Sequence, residues 1–375
     1  MIEFWSYKKE YNKYNKQILN IVDKTLKKGS VFFSTELDNF EKNFIKKYRA
    51  RYGIAVGSGT EALTIAIKSL GIKTGDEIIT AANTAIPTIT AIVNAGAKPK
   101  LIDIGEDYLI DVNKIQKEIT SKTKAIIPVH LYGQTCEMDE IIKIAKKNKI
   151  QVIEDCAQSQ GSFYKKKYAG TIGKLGCFSF YPTKILGGYG DGGFITTNNK
   201  KLFEKMHRFR FYGIDTLGTH KKKTNKYYSI DQGINSRLNE VQSSILNLKL
   251  SKLAGSIRRR REIAKRYYDG LKNTNLELPI INKGNFHVFH IFEVAHPKRN
   301  LIITKMKNKK INLSIHYKYP IHTMSGYKEF NTKKNTLKET EKKSKKIFSL
   351  PIYPLLKNNE IDIIIKNLNN IISKI

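Results

Sequence analysis

Apolar residues recur at helical spacing over residues 61–70, and the run stops at Gly71. Four short apolar runs, residues 77–82, 99–104, 125–130 and 151–155, have strand length. Helical spacing returns between them, over residues 88–94, 112–119 and 138–147. Gly96 closes the first of these helices and Asp111 caps the second. Strand–helix alternation of this kind predicts an α/β fold, a mostly parallel sheet covered by helices on both faces. Ligands in such sheets sit at the C-terminal ends of the strands. Glycine-rich segments at 170–176 and 187–193 read as loops near that edge, and residues 220–226 as a polar, mobile stretch. A long helix over 238–268 bridges to a smaller C-terminal α+β domain, with strand-like runs at 288–294 and 311–317 and a closing helix at 360–375. Residues 333–346 are lysine-rich but compatible with a helix. The expected division is a large domain, 1–250, and a small one, 251–375.

The chain has 375 residues, long enough for one large core and a smaller one, with 40% apolar and 27% charged side chains. Lys+Arg number 67 and Asp+Glu 33, a formal net charge of +34. A nucleic-acid-binding regulator is one reading of that excess. The basic runs at 165–167, 221–223 and 258–261 are short and separate, however, and no helix-turn-helix pattern accompanies them. Solvated lysine-rich faces and anionic small substrates account for the charge. No apolar run reaches the roughly 18 residues of a membrane span, so no membrane partner is expected. The N-terminus lacks a secretory pattern, and Cys136, Cys156 and Cys177 lack metal-ligand spacing. A reduced, cytoplasmic setting is expected.

Three features suggest chemistry. Asp155 ends a strand, where a carboxylate could hold a cationic ring nitrogen; alone it could equally be a solvated cap. Lys184, in SFYPTK, could be a desolvated nucleophile or one more surface lysine. Ser179 could donate a hydroxyl to a phosphate. GSGTEAL, residues 57–63, brings glycines to a helix start, where backbone N–H groups favour an anion; it is neither a Walker loop nor GxGxxG. A phosphate cradle, a strand-end Asp and a downstream Lys, in that order, are the parts a pyridoxal 5'-phosphate enzyme needs.

The chain resembles the sugar aminotransferases of the DegT/DnrJ/EryC1/StrS family. The resemblance rests on VGSGTEAL (56–63), AGAKPKLIDI (95–104), PVHLYGQ (128–134), IEDCAQSQGS (153–162), FSFYPTKILGGYGDGG (178–193), GINSRLNEVQSS (233–244) and LPIYP (350–354). It implies the aspartate aminotransferase-like fold of type I pyridoxal phosphate enzymes. It also implies roles: Lys184 as Schiff-base lysine and proton shuttle, Asp155 on the pyridinium nitrogen and Gln158 on the phenolic oxygen. Ser179, with the backbone of Gly59 and Thr60, would bind the phosphate. Asn235 would reach the partner subunit's cofactor, making a homodimer with shared active sites. Family members that dehydrate sugars carry His where this chain has Lys184, so transamination is implied. L-glutamate would be the donor, a nucleotide-linked keto sugar the acceptor, and pyridoxamine phosphate the form between half-reactions. RFYG (210–213), Tyr189 and the pair His316 and Tyr317 look like members acting at carbon 3 of TDP-3-keto-6-deoxyhexoses. Carbon 4 of a UDP- or TDP-4-keto sugar is the alternative. Tyr189, His316 and Tyr317 would surround the hexose, with Lys226 and Arg237 at the diphosphate. Many relatives stack an aromatic side chain on the cofactor ring where this chain has Ala85.

Overall fold

The computed structural model describes residues 1–219, 227–330 and 337–375. Two helices open the chain, α1 (Tyr7–Lys27) and α2 (Thr35–Tyr48). The Ser6 hydroxyl caps α1 by accepting from the Lys9 N–H. There follow β1 (Tyr52–Val56), α3 (Gly59–Ser69), β2 (Glu77–Ala81), α4 (Ile86–Asn94), β3 (Lys98–Ile102), α5 (Val112–Glu118), β4 (Thr123–Ile127), α6 (Met138–Lys147) and β5 (Gln151–Asp155). A hairpin, β6 (Phe163–Tyr164) and β7 (Lys167–Tyr168), leads to β8 (Leu175–Ser179), β9 (Gly193–Thr197) and α7 (Lys200–Phe209).

Seven strands form one sheet in the order β1-β9-β8-β5-β4-β2-β3. Of these, β9 alone runs against its neighbours. The alternation read from the sequence thus builds the expected sheet. Its inner strands are largely buried because helices cover both faces; β8 and β9 are buried at every position, whereas the edge strand β3 exposes Lys98. Each begins at the end of a glycine-rich segment, β8 at Leu175 and β9 at Gly193, where the sequence reads as loop. At Gly193 a Cβ would lie 2.3 Å from the Ser58 carbonyl oxygen, so only glycine lets β9 pass the start of α3.

The helix α8 (Glu240–Leu271) continues through residue 250 without a break. Leu246, Leu250, Leu253 and Ile257 pack with α2 and the outer strands. Ile263, Ala264, Tyr267 and Leu271 pack instead into the C-terminal core. That core takes in β11 (Phe292–Ala295), α9 (Arg299–Asn308), β12 (Ile347–Leu350) and α11 (Asn358–Ile372), while β10 (Asn285–Phe286) pairs with β6 and α10 (Lys338–Ser344) precedes β12. Ile2 joins the same core and bridges to Ile311.

Two expected strands differ. Of the expected strand 288–294, residues 292–294 lie in β11, while 288–291 are buried but do not pair as a strand. The Val288 and Ile291 N–H groups bond to the carbonyls of Gly133 and Tyr132, and Phe289 has φ +51°. Residues 311–317 form only isolated bridges, Ile2 to Ile311 and Ser314 to Ser349. In both segments burial at a domain junction produced the apolar pattern. Residues 220–226 and 333–336 of the expected segments lie outside the described residues. No helix of the described residues is long and apolar enough to cross a membrane.

Candidate active site

A cleft of ≈ 490 Å³ opens at the C-terminal edge of the sheet, where β1, β2, β5 and β8 end. That size suits a small-molecule site, roughly 300–1,000 Å³. A larger groove, ≈ 730 Å³, runs beside α8 and shares none of its residues.

Asp155 closes β5 and is 4% exposed. Backbone bonds on both sides, from its N–H to Pro128 and from the His130 N–H to its carbonyl, hold it in line with β4. Its Oδ1 accepts the Ala157 N–H at 3.0 Å and its Oδ2 the Thr88 hydroxyl at 2.8 Å. Burial pushes the carboxyl above its usual range, against those bonds and the charge of Lys184. Lys184 lines the same cleft, half-buried. Burial lowers its ammonium from 10.5 to about 8, and Asp155 opposes the shift. The result is an amine that gives up its proton more readily than an exposed lysine, in the same cleft as a buried carboxyl group, the kind of perturbed pair that proton-transfer sites hold.

The phosphate end is built by close approach. Ser58 caps α3 through the Glu61 N–H at 3.2 Å, so Gly59 and Thr60 begin the helix, where N–H groups have no intrahelical acceptor. A Cβ on Gly59 would lie 2.6 Å from the Cβ of Ser179, which ends β8. The helix start and the Ser179 hydroxyl therefore share one small anion cradle. Gln158, 3% exposed, accepts the Tyr132 N–H at 2.9 Å and donates to the Tyr317 hydroxyl at 2.8 Å, leaving one amide hydrogen. Ala85 is the N-cap of α4 and half-buried on the cleft wall, where its methyl leaves space. His316 and Tyr317 form the wall contributed by the C-terminal part. Burial, then Lys184, lowers His316 to about 4 and leaves its ring neutral.

Gly59, Thr60, Ala85, Asp155, Gln158, Ser179, Lys184, His316 and Tyr317 thus converge on one cleft. Tyr189 does not join them. Its N–H bonds to Gln242, its ring lies under the Lys249 ammonium at 5.2 Å, and its neighbours are Glu10, Tyr11 and Tyr14 of α1. Asn235 is exposed and bridges to Phe211, and Arg237 stacks on Phe32 at 4.4 Å. Neither lines this chain's own cleft. Lys226 lies outside the described residues. The cleft also takes in Thr88, Phe4, Trp5 and His290, which the sequence reading did not name.

Set beside known proteins, residues 12–369 match the DegT/DnrJ/EryC1/StrS aminotransferase family. The chain belongs to that family. A dTDP-3-amino-3,4,6-trideoxy-alpha-D-glucose transaminase of Micromonospora megalomicea subsp. nigra is 38% identical over 375 residues, 98% of each chain. A dTDP-3-amino-3,6-dideoxy-alpha-D-galactopyranose transaminase of Aneurinibacillus thermoaerophilus is 39% identical over 370 residues, 98% of this chain and 99% of that one. The crystal structure of S. venezuelae DesV in complex with a ketimine intermediate is 30% identical, covers 100% of this chain and 99% of its own, and superposes with a TM-score of 0.95. The protein is a sugar aminotransferase that uses pyridoxal phosphate. The cleft of this aminotransferase fits that cofactor: a cradle that a Cβ would fill, a near-neutral amine and a buried carboxylate are spaced along it.

Proposed function

We propose that this aminotransferase moves the amino group of L-glutamate to carbon 3 of a dTDP-linked 3-keto-6-deoxyhexose, giving 2-oxoglutarate and the 3-amino sugar. It does so in the cytoplasm, as a homodimer with shared active sites. One observation carries the reading: the Lys184 amine, lowered to about 8, faces buried Asp155 in a cleft walled by His316 and Tyr317. The relatives' named substrates support the dTDP sugar and its carbon 3. Three buried, unpaired cysteines support a reducing compartment.

When bound, pyridoxal phosphate supplies a carbonyl carbon that takes up amines and a ring that accepts the electron pair left when the donor loses its α-proton. Lys184 Nζ takes that proton and returns it, and its near-neutral pKa suits both directions. Asp155 would keep a proton on the ring nitrogen, with its carboxylate fixed by the hydroxyl of Thr88. Gly59, Thr60 and Ser179 would hold the phosphate. The spare amide hydrogen of Gln158 would be the donor for the phenolic oxygen. Tyr317, tied to Gln158, and His316 orient the sugar ketone toward the transferred amine. Asn235 and Arg237, outside this chain's cleft, serve the partner's.

The test is incubation with L-glutamate and a panel of dTDP- and UDP-linked 3-keto and 4-keto sugars, with products identified by mass and NMR. A dTDP-3-amino-3,6-dideoxyhexose is expected. Nitrogen at carbon 4, or release of 2-oxoglutarate without an amino sugar, overturns the reading.

A further inference from the structure

Behind His316 lies a chain of groups that the reaction as described does not use. Strands β11 and β12 pair antiparallel with Glu293 opposite Ser349, so the two side chains share one face. Ser349 also exchanges both backbone bonds with Ser314, which lays residues 314–316 alongside β12. The Ser349 hydroxyl, fully buried, donates to Glu293 Oε2 in a short hydrogen bond. The same oxygen lies 2.7 Å from His316 Nδ1. Glu293 is 1% exposed, and its other oxygen, Oε1, has no hydrogen-bond partner among the described residues.

The proton count follows. A serine hydroxyl has one hydrogen, and here it goes to Glu293. Its lone pair must then accept from His316 Nδ1. The neutral ring keeps its proton on Nδ1, and Nε2 presents a lone pair. Burial raises the Glu293 carboxyl well above its usual range, and the bond from Ser349 and the charge of Arg299 oppose that shift; the count holds for the ionised carboxylate, which has only acceptors to offer Ser349. Phe4 stacks on the His316 ring at 5.4 Å and the Tyr132 hydroxyl donates to the His316 carbonyl, so ring and backbone are both held. Among the described residues Nε2 has no partner, although His316 lines the cleft.

We propose that Glu293 and Ser349 are positioning residues for the sugar half of the reaction: they hold His316 as its Nδ1–H tautomer, so that Nε2 accepts a hydrogen bond from a hydroxyl of the keto sugar. This rests on the keto-sugar reading above. A hexose carries several hydroxyl donors, whereas glutamate's one donor group, its amine, is the group that reacts, and its carboxylates only accept. The chain therefore bears on one half-reaction and not the other.

Stopped-flow measurement of each half-reaction in Ser349→Ala, Glu293→Leu and Glu293→Gln holoenzymes tests this. Ser349→Ala and Glu293→Leu are expected to lower kcat/KM for the sugar about tenfold, the factor one hydrogen bond of ordinary strength supplies. The glutamate half-reaction should stay within about twofold. Glu293→Gln keeps an acceptor for Ser349 and should restore the sugar half-reaction. Histidine-selective 15N NMR of the holoenzyme, assigned with His316→Asn, should show an Nδ1–H tautomer that Ser349→Ala releases. An Nε2–H tautomer in the parent protein overturns the proposal. So does equal loss in both half-reactions, which marks a packing role, or unchanged sugar kinetics in both Ser349→Ala and Glu293→Leu. Should the parent protein turn over glutamate but aminate no keto sugar, the functional reading fails, while the tautomer measurement still decides the chain.

Discussion

Lys184 is one of 67 basic side chains, and its surroundings set it apart. Burial disfavours its charged form, and Asp155 only partly compensates. In cofactor-free protein its acylation should therefore rise with a midpoint near pH 8, where exposed lysines respond near 10.4. Peptide mapping by mass spectrometry across pH 6–11 checks this; a midpoint above about 10 would mean a solvated amine. Gly59 gives a second expectation at this scale. A methyl there meets Ser179, so Gly59→Ala should cost about 1–3 kcal/mol of cofactor binding, a loss of roughly 5- to 150-fold in affinity. Titration of the apo protein by absorbance measures it, with circular dichroism confirming an intact fold. Asp155 and Gly59 were legible because each sits in a local pattern, a strand end and a helix start, and Lys184 because it follows them in the SFYPTK segment. Thr88, Trp5 and His290 were not, since only tertiary contact brings α4, the N-terminal segment and residues near β11 to the same cleft.

Among the elements, β2, β4 and β5 were readable because near-complete burial gives each an apolar run between helices, and the edge strand β3 because its end, Leu101 and Ile102, is apolar. β8 and β9 escaped because close backbone approaches demand glycines inside or beside them, and glycine reads as loop. The apolar runs at 288–291 and 311–317 mimicked strands because burial, not pairing, selected their residues. The element that joins these regions is α8, and its Arg260 is 1% exposed. One guanidinium nitrogen donates to the carbonyls of Phe289, His290 and Ile352, tying three points of the C-terminal half to the helix. The side chain also lies over the Trp5 ring at 5.4 Å. Arg260→Met keeps the apolar stem and leaves those carbonyls without a donor. It should cost on the order of 3 kcal/mol, seen as a lower urea midpoint at unchanged slope. A midpoint within error of the parent's would show that water replaces the guanidinium.

For the whole molecule, assembly is the open consequence of where Asn235 and Arg237 lie. Both are on the chain's surface side, near the exposed Phe32, Phe33 and Tyr212. If two copies complete each other's clefts, Lys184→Ala and Arg237→Ala homodimers are each nearly inactive. Refolding them together at equal amounts should restore about a quarter of parental activity, because half the dimers are mixed and each mixed dimer has one intact site. Failure to recover activity, with mixed dimers confirmed by native mass spectrometry, would assign both residues to their own subunit. The uninterrupted α8 carries a different consequence, for mechanics. A single 32-residue rod is embedded at one end in the core it shares with α2, β8 and β9 and at the other in the C-terminal core. Such a beam transmits torque and has no flexible joint along its length. Breathing of the cleft must then arise by tilting the rod as a unit, and heat should melt both halves in one calorimetric peak, with van't Hoff and calorimetric enthalpies agreeing per cooperative unit.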